Sequence, residues 1–163
     1  VNLRTGAAEF IKLLSKFNIP LLIFSANGLG VSALAYFFQK EGLAADNLHF
    51  IANDFVWSED GRALSVKEPI IHSFNKDETE LSVFGCWEKV RDRNNILLFG
   101  DSLGDVGMAN GFPYRNLLKI GFLNDKIRES LPAYREVYDA LILNDGDFSL
   151  PLELLKEIIN YAD

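Results

Sequence analysis

Cysteine, histidine and positive charge are all scarce in this sequence, and each scarcity closes off a class of function. The single cysteine, Cys86, cannot close an internal disulfide, which fits a reducing, cytosolic setting. The two histidines, His49 and His72, stand far apart, so no zinc-site spacing exists. A formal net charge of -7 leaves no basic surplus to neutralise a nucleic-acid backbone or an anionic membrane. A small phosphorylated ligand stays open, because one local cation can hold it. No apolar run reaches the roughly 18 residues that span a bilayer, and the N-terminus lacks a basic stretch followed by an apolar block. Repeats, low-complexity tracts and Pro/Gly/Ser linkers are missing too, so residues 1–163 read as one unit. The chain opens on Val1 without an initiating methionine, as a processed product, a cloned piece or part of a longer protein would. What is present is a 48% hydrophobic content over 163 residues, enough to bury one sizeable core.

Apolar spacing predicts the order of elements. Phe10, Leu13, Leu14 and Phe17 recur at helical spacing, and Asn18 followed by Pro20 stops that helix before a buried strand over 21–24. Val31, Leu34, Ala35 and Phe38 predict a second helix, with Gly42 where a C-terminal cap belongs. A strand is expected over 48–52, then a hairpin in which 55–57 and 63–65 flank the turn Glu59-Asp60-Gly61. Asp77 with Glu80 resembles a capping pair at the start of a helix carrying Phe84, Trp87 and Val90, which puts Lys76 just ahead of it. There follow a strand over 96–99, a short helix near Met108, a strand over 117–120, a helix over 127–134, a strand over 140–143 and a helix over 152–161. This alternation predicts an α/β fold, a parallel sheet covered by helices on both faces, with one small β-hairpin.

In such a sheet, ligands gather beyond the carboxyl ends of the strands. Three loops there hold polar residues: Ser25, Lys76, and the pair Asp101 and Asp105. A phosphate monoester needs hydroxyl and backbone N–H donors, a cation against its charge and often Mg²⁺ on carboxylate oxygens. Asp101 follows a strand directly and Asp105 lies four residues on, where the turn becomes helical. Both carboxylates can therefore address one point, while Gly100 and Gly104 make room. Two aspartates from one loop suit a partial Mg²⁺ site. The same stretch also reads as a tight strand-to-helix turn with Asp as cap, and the residues alone favour neither. Ser25 either joins an anion-binding nest or caps the next helix, the commoner role of a lone serine. Lys76 either offsets phosphate charge or snorkels to solvent. His72, Cys86 and the stripe Tyr36, Phe37 and Phe38 read as packing residues, and Trp57 reads as buried against the sheet rather than turned to a ligand.

Four stretches then stand in a telling order: Phe24-Ser25-Ala26, Ile71-His72-Ser73-Phe74-Asn75-Lys76, Leu98-Phe99-Gly100-Asp101-Ser102-Leu103-Gly104-Asp105, and Lys119-Ile120-Gly121-Phe122-Leu123-Asn124-Asp125. Together they resemble the eukaryotic cytosolic pyrimidine 5′-nucleotidases of the haloacid dehalogenase superfamily, over nearly the whole chain. The resemblance implies a haloacid-dehalogenase-like Rossmannoid core. It implies that Ser25 contacts phosphate, that Ala26 offers its backbone N–H, and that Lys76 binds phosphate and offsets charge near the nucleophile. Asp101 would ligate Mg²⁺ directly and Asp105 directly or through a water. Asn27, in the same phosphate loop, departs from the glycine that the family usually places there, which puts phosphate affinity or substrate preference in question.

The resemblance also implies parts outside these residues. The superfamily's reaction begins with an aspartate of an Asp-x-Asp-x-Thr-like loop, which attacks phosphorus to give an aspartyl-phosphate that water hydrolyses. That loop, the first core strand and the substrate-selecting cap are expected N-terminal to the Ser25 stretch. Residues 1–163 would thus be the C-terminal part of the phosphatase core. Asp145-Gly146-Asp147 imitates a nucleophile loop in the wrong order, and Ser149 and Pro151 read it as the lead into the last helix. The expected function is Mg²⁺-dependent hydrolysis of nucleoside 5′-monophosphates, pyrimidine ones preferred, by a cytoplasmic, monomeric full-length enzyme with no nucleic-acid or membrane partner. The chain by itself is expected to be inactive without its N-terminal segment. The alternatives are a phosphatase of this class for another small phosphometabolite and a non-catalytic truncated relative.

Overall fold

The computed structural model describes residues 2–26, 28–68, 70–71, 87–110 and 112–160. Helix α1 (Ala7–Lys16) buries Ala7, Phe10, Ile11 and Leu14 along one stripe. It stops at Asn18, whose φ of 49° is left-handed. There the N–H of Ile19 reaches the carbonyl of Leu14 at 2.9 Å and that of Asn18 reaches Ser15 at 3.1 Å, a Schellman ending built on asparagine. Strand β1 (Leu21–Ser25) follows. Helix α2 (Val31–Lys40) ends in the same motif at Gly42, φ 67°, with the N–H of Leu43 on the carbonyl of Phe38 at 2.8 Å. Strand β2 (Leu48–Ala52) and the hairpin strands β3 (Phe55–Trp57) and β4 (Ala63–Val66) lie where the spacing puts them.

The second half comprises α3, described over Trp87–Val90, β5 (Asn95–Gly100), a 3-10 helix (Leu103–Ala109), β6 (Asn116–Leu123), α4 (Ile127–Val137), β7 (Ala140–Leu143) and α5 (Ser149–Asn160). Three bounds differ from expectation by more than one residue. Strand β6 runs on through Gly121 to Leu123 because those residues pair with β7, Gly121 opposite Leu141 and Leu123 opposite Leu143. Helix α4 continues past Tyr134 to Val137. Helix α5 starts at Ser149, ahead of Pro151, since a proline in the first turn needs no N–H partner.

Strands β1 and β2 pair in parallel, and β5, β6 and β7 form a parallel trio with β6 central. No strand links the pair to the trio among the described residues, but one core does. Phe99 of β5 packs with Leu21 and Ile23 of β1 on a cluster of Phe10, Leu14, Phe38, Leu152 and Leu155 from α1, α2 and α5. Each large side chain so buried contributes about 2 kcal/mol. On the opposite faces, Leu22 and Phe24 meet Ile51 and Ile71, while Ile96 and Leu98 meet Val106, Met108, Tyr134 and Tyr138. Strand residues thus alternate between two helical layers, the α/β architecture that the spacing predicts. The hairpin corrects one expectation: Trp57 is 54% exposed, its ring packed edge-on against Phe55, because β3 and β4 pair as a two-stranded ribbon of their own and β4 is exposed throughout. Tyr36 is likewise exposed, whereas Phe38 of the same stripe is buried.

Candidate active site

Strand β5 ends at Gly100, and the chain turns at once through Asp101 and Ser102 into the 3-10 helix. Asp105, 3% exposed, accepts hydrogen bonds at Oδ2 from the N–H groups of Asp101 and Ser102, both at 3.0 Å. The Ser102 hydroxyl accepts the N–H of Asp105 in return, closing a capping box. The cap reading of this stretch is therefore realised in Asp105. Asp101, by contrast, is exposed at the carboxyl end of β5.

Close approach is possible only because Gly100 has no side chain. A Cβ there would stand 2.5 Å from the Cβ of Asp105 and 2.5 Å from the hydroxyl of Tyr138. Tyr138, at the end of α4, lays its ring over Gly121, where a Cβ would meet it at 2.8 Å. Gly100 and Gly121 are register partners on β5 and β6, so two neighbouring glycines make the floor beneath one tyrosine. The Tyr138 hydroxyl donates to the carbonyl of Ser102, and that of Tyr134 donates to the carbonyl of Asp101 at 2.7 Å. Burial raises the pKa of both phenols, and the charges of Asp101 and Asp105 raise them further. Both hydroxyls therefore stay protonated and donating at neutral pH.

Ser25 closes β1 opposite Ala52 of β2, and Ala26 packs against the Ile51 and Ile71 cluster. Just past β2, the buried Asn53 donates from Nδ2 to the carbonyl of Ile71 at 3.0 Å and accepts the N–H of Ile71 at Oδ1, 2.8 Å. Asn53 thereby ties the start of the Ile71-to-Lys76 stretch to the carboxyl end of β2. Lys76 and Asn27 lie outside the described residues, as do His72 and Cys86. Past β6, Oδ1 of Asn124 is buried with no hydrogen-bond partner among the described residues.

The imitation loop has other work. Arg4 binds the Asp145 carboxylate and the carbonyl of Gly146, both at 2.7 Å, with its guanidinium 4.6 Å from the Phe122 ring centroid. Asp147 accepts the N–H of Ser149 at 3.0 Å, at the start of α5. The hydrogen bonds from Ser149 hold the Asp147 carboxyl below its usual pKa.

Asp101 and Asp105 could hold a divalent cation. Among the described residues no three His, Cys, Asp or Glu side chains gather at one point, so the loop supplies at most the two carboxylates of Asp101 and Asp105. Mg²⁺ typically takes one or two protein carboxylates and keeps several waters. The sequence singles out Ser25, Asp101 and Asp105 as candidates, but not Asn53, Tyr134 and Tyr138, whose hydrogen bonds hold the neighbouring backbone. The signals in reach were the Tyr134 and Tyr138 spacing of one helical turn and the Gly100 and Gly121 pair.

The parallel sheet between helical layers is a fold that this chain shares with solved phosphatase structures. Phosphoserine phosphatase in its apo form shares it, at a TM-score of 0.55 and 22% identity over 97% of this chain and 66% of that one. Residues 1–159 match the pyrimidine 5′-nucleotidase (UMPH-1) family, and the chain belongs to that family. It is 37% identical over 162 residues to the 7-methylguanosine phosphate-specific 5′-nucleotidase of Rattus norvegicus, covering 99% of this chain and 53% of that protein. The Homo sapiens protein of the same name is 36% identical over 158 residues, 96% of this chain and 52% of that protein. The crystal structure of cytosolic 5′-nucleotidase IIIB bound to cytidine superposes at a TM-score of 0.86 with 28% identity, over 97% of this chain and 54% of that chain. The chain thus spans about half the length of the curated relatives it matches.

Proposed function

We propose that this chain forms the metal-loop part of a 5′-nucleotidase that hydrolyses nucleoside 5′-monophosphates to nucleoside and phosphate. The observation that carries the reading is the Asp101–Asp105 loop at the end of β5, held by its own capping box, in a chain that matches a nucleotidase family over residues 1–159. In this reading Asp101 holds Mg²⁺, and Asp105 keeps the loop closed and reaches the ion directly or through a water. Ser25, with the N–H groups of Ala26 and Asn27, binds the phosphate oxygens, and Lys76 offsets their charge. Bound Mg²⁺ would supply charge neutralisation for the phosphoryl group. The attacking aspartate, the first core strand and the cap come from sequence outside these residues, and the reaction passes through an aspartyl-phosphate. The full-length enzyme is read as a cytosolic monomer.

Two substrate readings have support. The family name favours pyrimidine nucleotides, and the names of relatives at 36–37% identity favour 7-methylguanosine monophosphate. Phosphate release from cytidine, uridine and 7-methylguanosine 5′-monophosphates, by the full-length protein with Mg²⁺, separates them. Asp101→Asn should cost on the order of a hundredfold or more, since it removes the charge that holds the ion. Full activity in that variant would take Asp101 out of the metal site. The 163-residue chain alone should release no phosphate. Release that disappears with Asp145→Asn would instead make Asp145 the nucleophile.

A further inference from the structure

Asp101 stands between two peptide planes, and both are gripped by side chains from elsewhere. The plane before it gives its N–H to Asp105 Oδ2. The plane after it is held at both ends, its carbonyl by the Tyr134 hydroxyl and its N–H, that of Ser102, by the same Asp105 oxygen. The next plane is held at the Ser102 carbonyl by Tyr138. Fixing the planes on either side of a residue fixes the direction of its Cα–Cβ bond, and so the cone its carboxylate can sweep. The two tyrosines are themselves immobilised. They sit one helical turn apart at the end of α4, stack at 5.6 Å and 23°, and Tyr138 is pinned on Gly121 and Gly100.

We propose that Tyr134 and Tyr138 are positioning residues that aim the Asp101 carboxylate at the divalent cation. The proposal rests on the reading of Asp101 as a Mg²⁺ ligand. Each hydroxyl donates to a backbone carbonyl, so the pair acts through the backbone of the acidic loop. Outer partners of this kind commonly change metal affinity by about 10- to 100-fold when removed.

The test uses the full-length protein and Mn²⁺, titrated without substrate and followed by electron paramagnetic resonance. Tyr134→Phe with Tyr138→Phe should raise the Mn²⁺ Kd about tenfold. In the assay, the effect should fall on the metal concentration giving half-maximal rate rather than on the rate at saturating metal. An unchanged Kd in the folded double variant overturns the proposal, and so does a lowered melting temperature with the Kd unmoved, which is what a merely structural pair would give. If the double variant does not fold, Tyr134→Phe alone decides on the same readout, since it keeps the ring and removes only the hydroxyl. Parent and Asp101→Asn proteins that bind Mn²⁺ equally would remove the underlying metal reading, and that outcome needs no tyrosine variant to be seen.

Discussion

Asn53 and Ile71 hold each other by two hydrogen bonds, one in each direction, across 18 residues of chain. The pair lies in a buried cluster, so neither bond is readily replaced by water. Asn53→Ala should cost about 2–3 kcal/mol, because it leaves both the N–H and the carbonyl of Ile71 without their partner. Urea denaturation of parent and variant measures it, and a loss under about 0.5 kcal/mol would show that the clamp contributes little. Where phosphate analogues are concerned, vanadate inhibition of the full-length variant should weaken as well, since Ile71 leads into the stretch that carries Lys76.

Gly100→Ala should destabilise by about 1–3 kcal/mol, the usual result of forcing a methyl group into a filled site. The new Cβ would meet Asp105 Cβ and the Tyr138 hydroxyl, both at 2.5 Å. Removing that hydroxyl should relieve part of the clash, so Gly100→Ala with Tyr138→Phe should cost less than the sum of the two single changes. Strict additivity in the denaturation midpoints would mean that the loop moves aside instead.

His49, on β2, is held below its usual pKa of 6.5, first by burial and then by the positive charge of Lys89. The sign follows from proton counting. The unfolded chain takes up this proton at a higher pH than the folded one, so stability falls as pH drops through and below about 6.5. His49→Gln should flatten the part of the stability profile between about pH 7.5 and 5.5, where carboxylates contribute little. Urea midpoints at the two ends of that window give the result, and an equal fall in parent and variant would assign it to another group.

Local chemistry made much of this protein legible in its sequence. The Schellman endings at Asn18 and Gly42, the strand bounds of β2 and β7, and the acidic loop after β5 all follow from apolar spacing and turn residues within a few positions. The resemblance to the nucleotidases rested on short stretches of this kind, and the family match over residues 1–159 bears it out. The sequence left open whether Asp105 caps or binds, since one residue pattern serves both.

The capping geometry itself belonged to the tertiary structure, which turned one Asp105 oxygen onto two backbone N–H groups and left Asp101 exposed. So did the exposure of Trp57, which lies on a two-stranded ribbon that pairs with no other strand among the described residues. Above all, the grip on the acidic loop by Tyr134 and Tyr138 joins partners 33 and 36 residues apart. A hydrogen bond over such a separation leaves no periodicity to read, because it forms only once the β5–β6–β7 sheet has brought α4 against the loop.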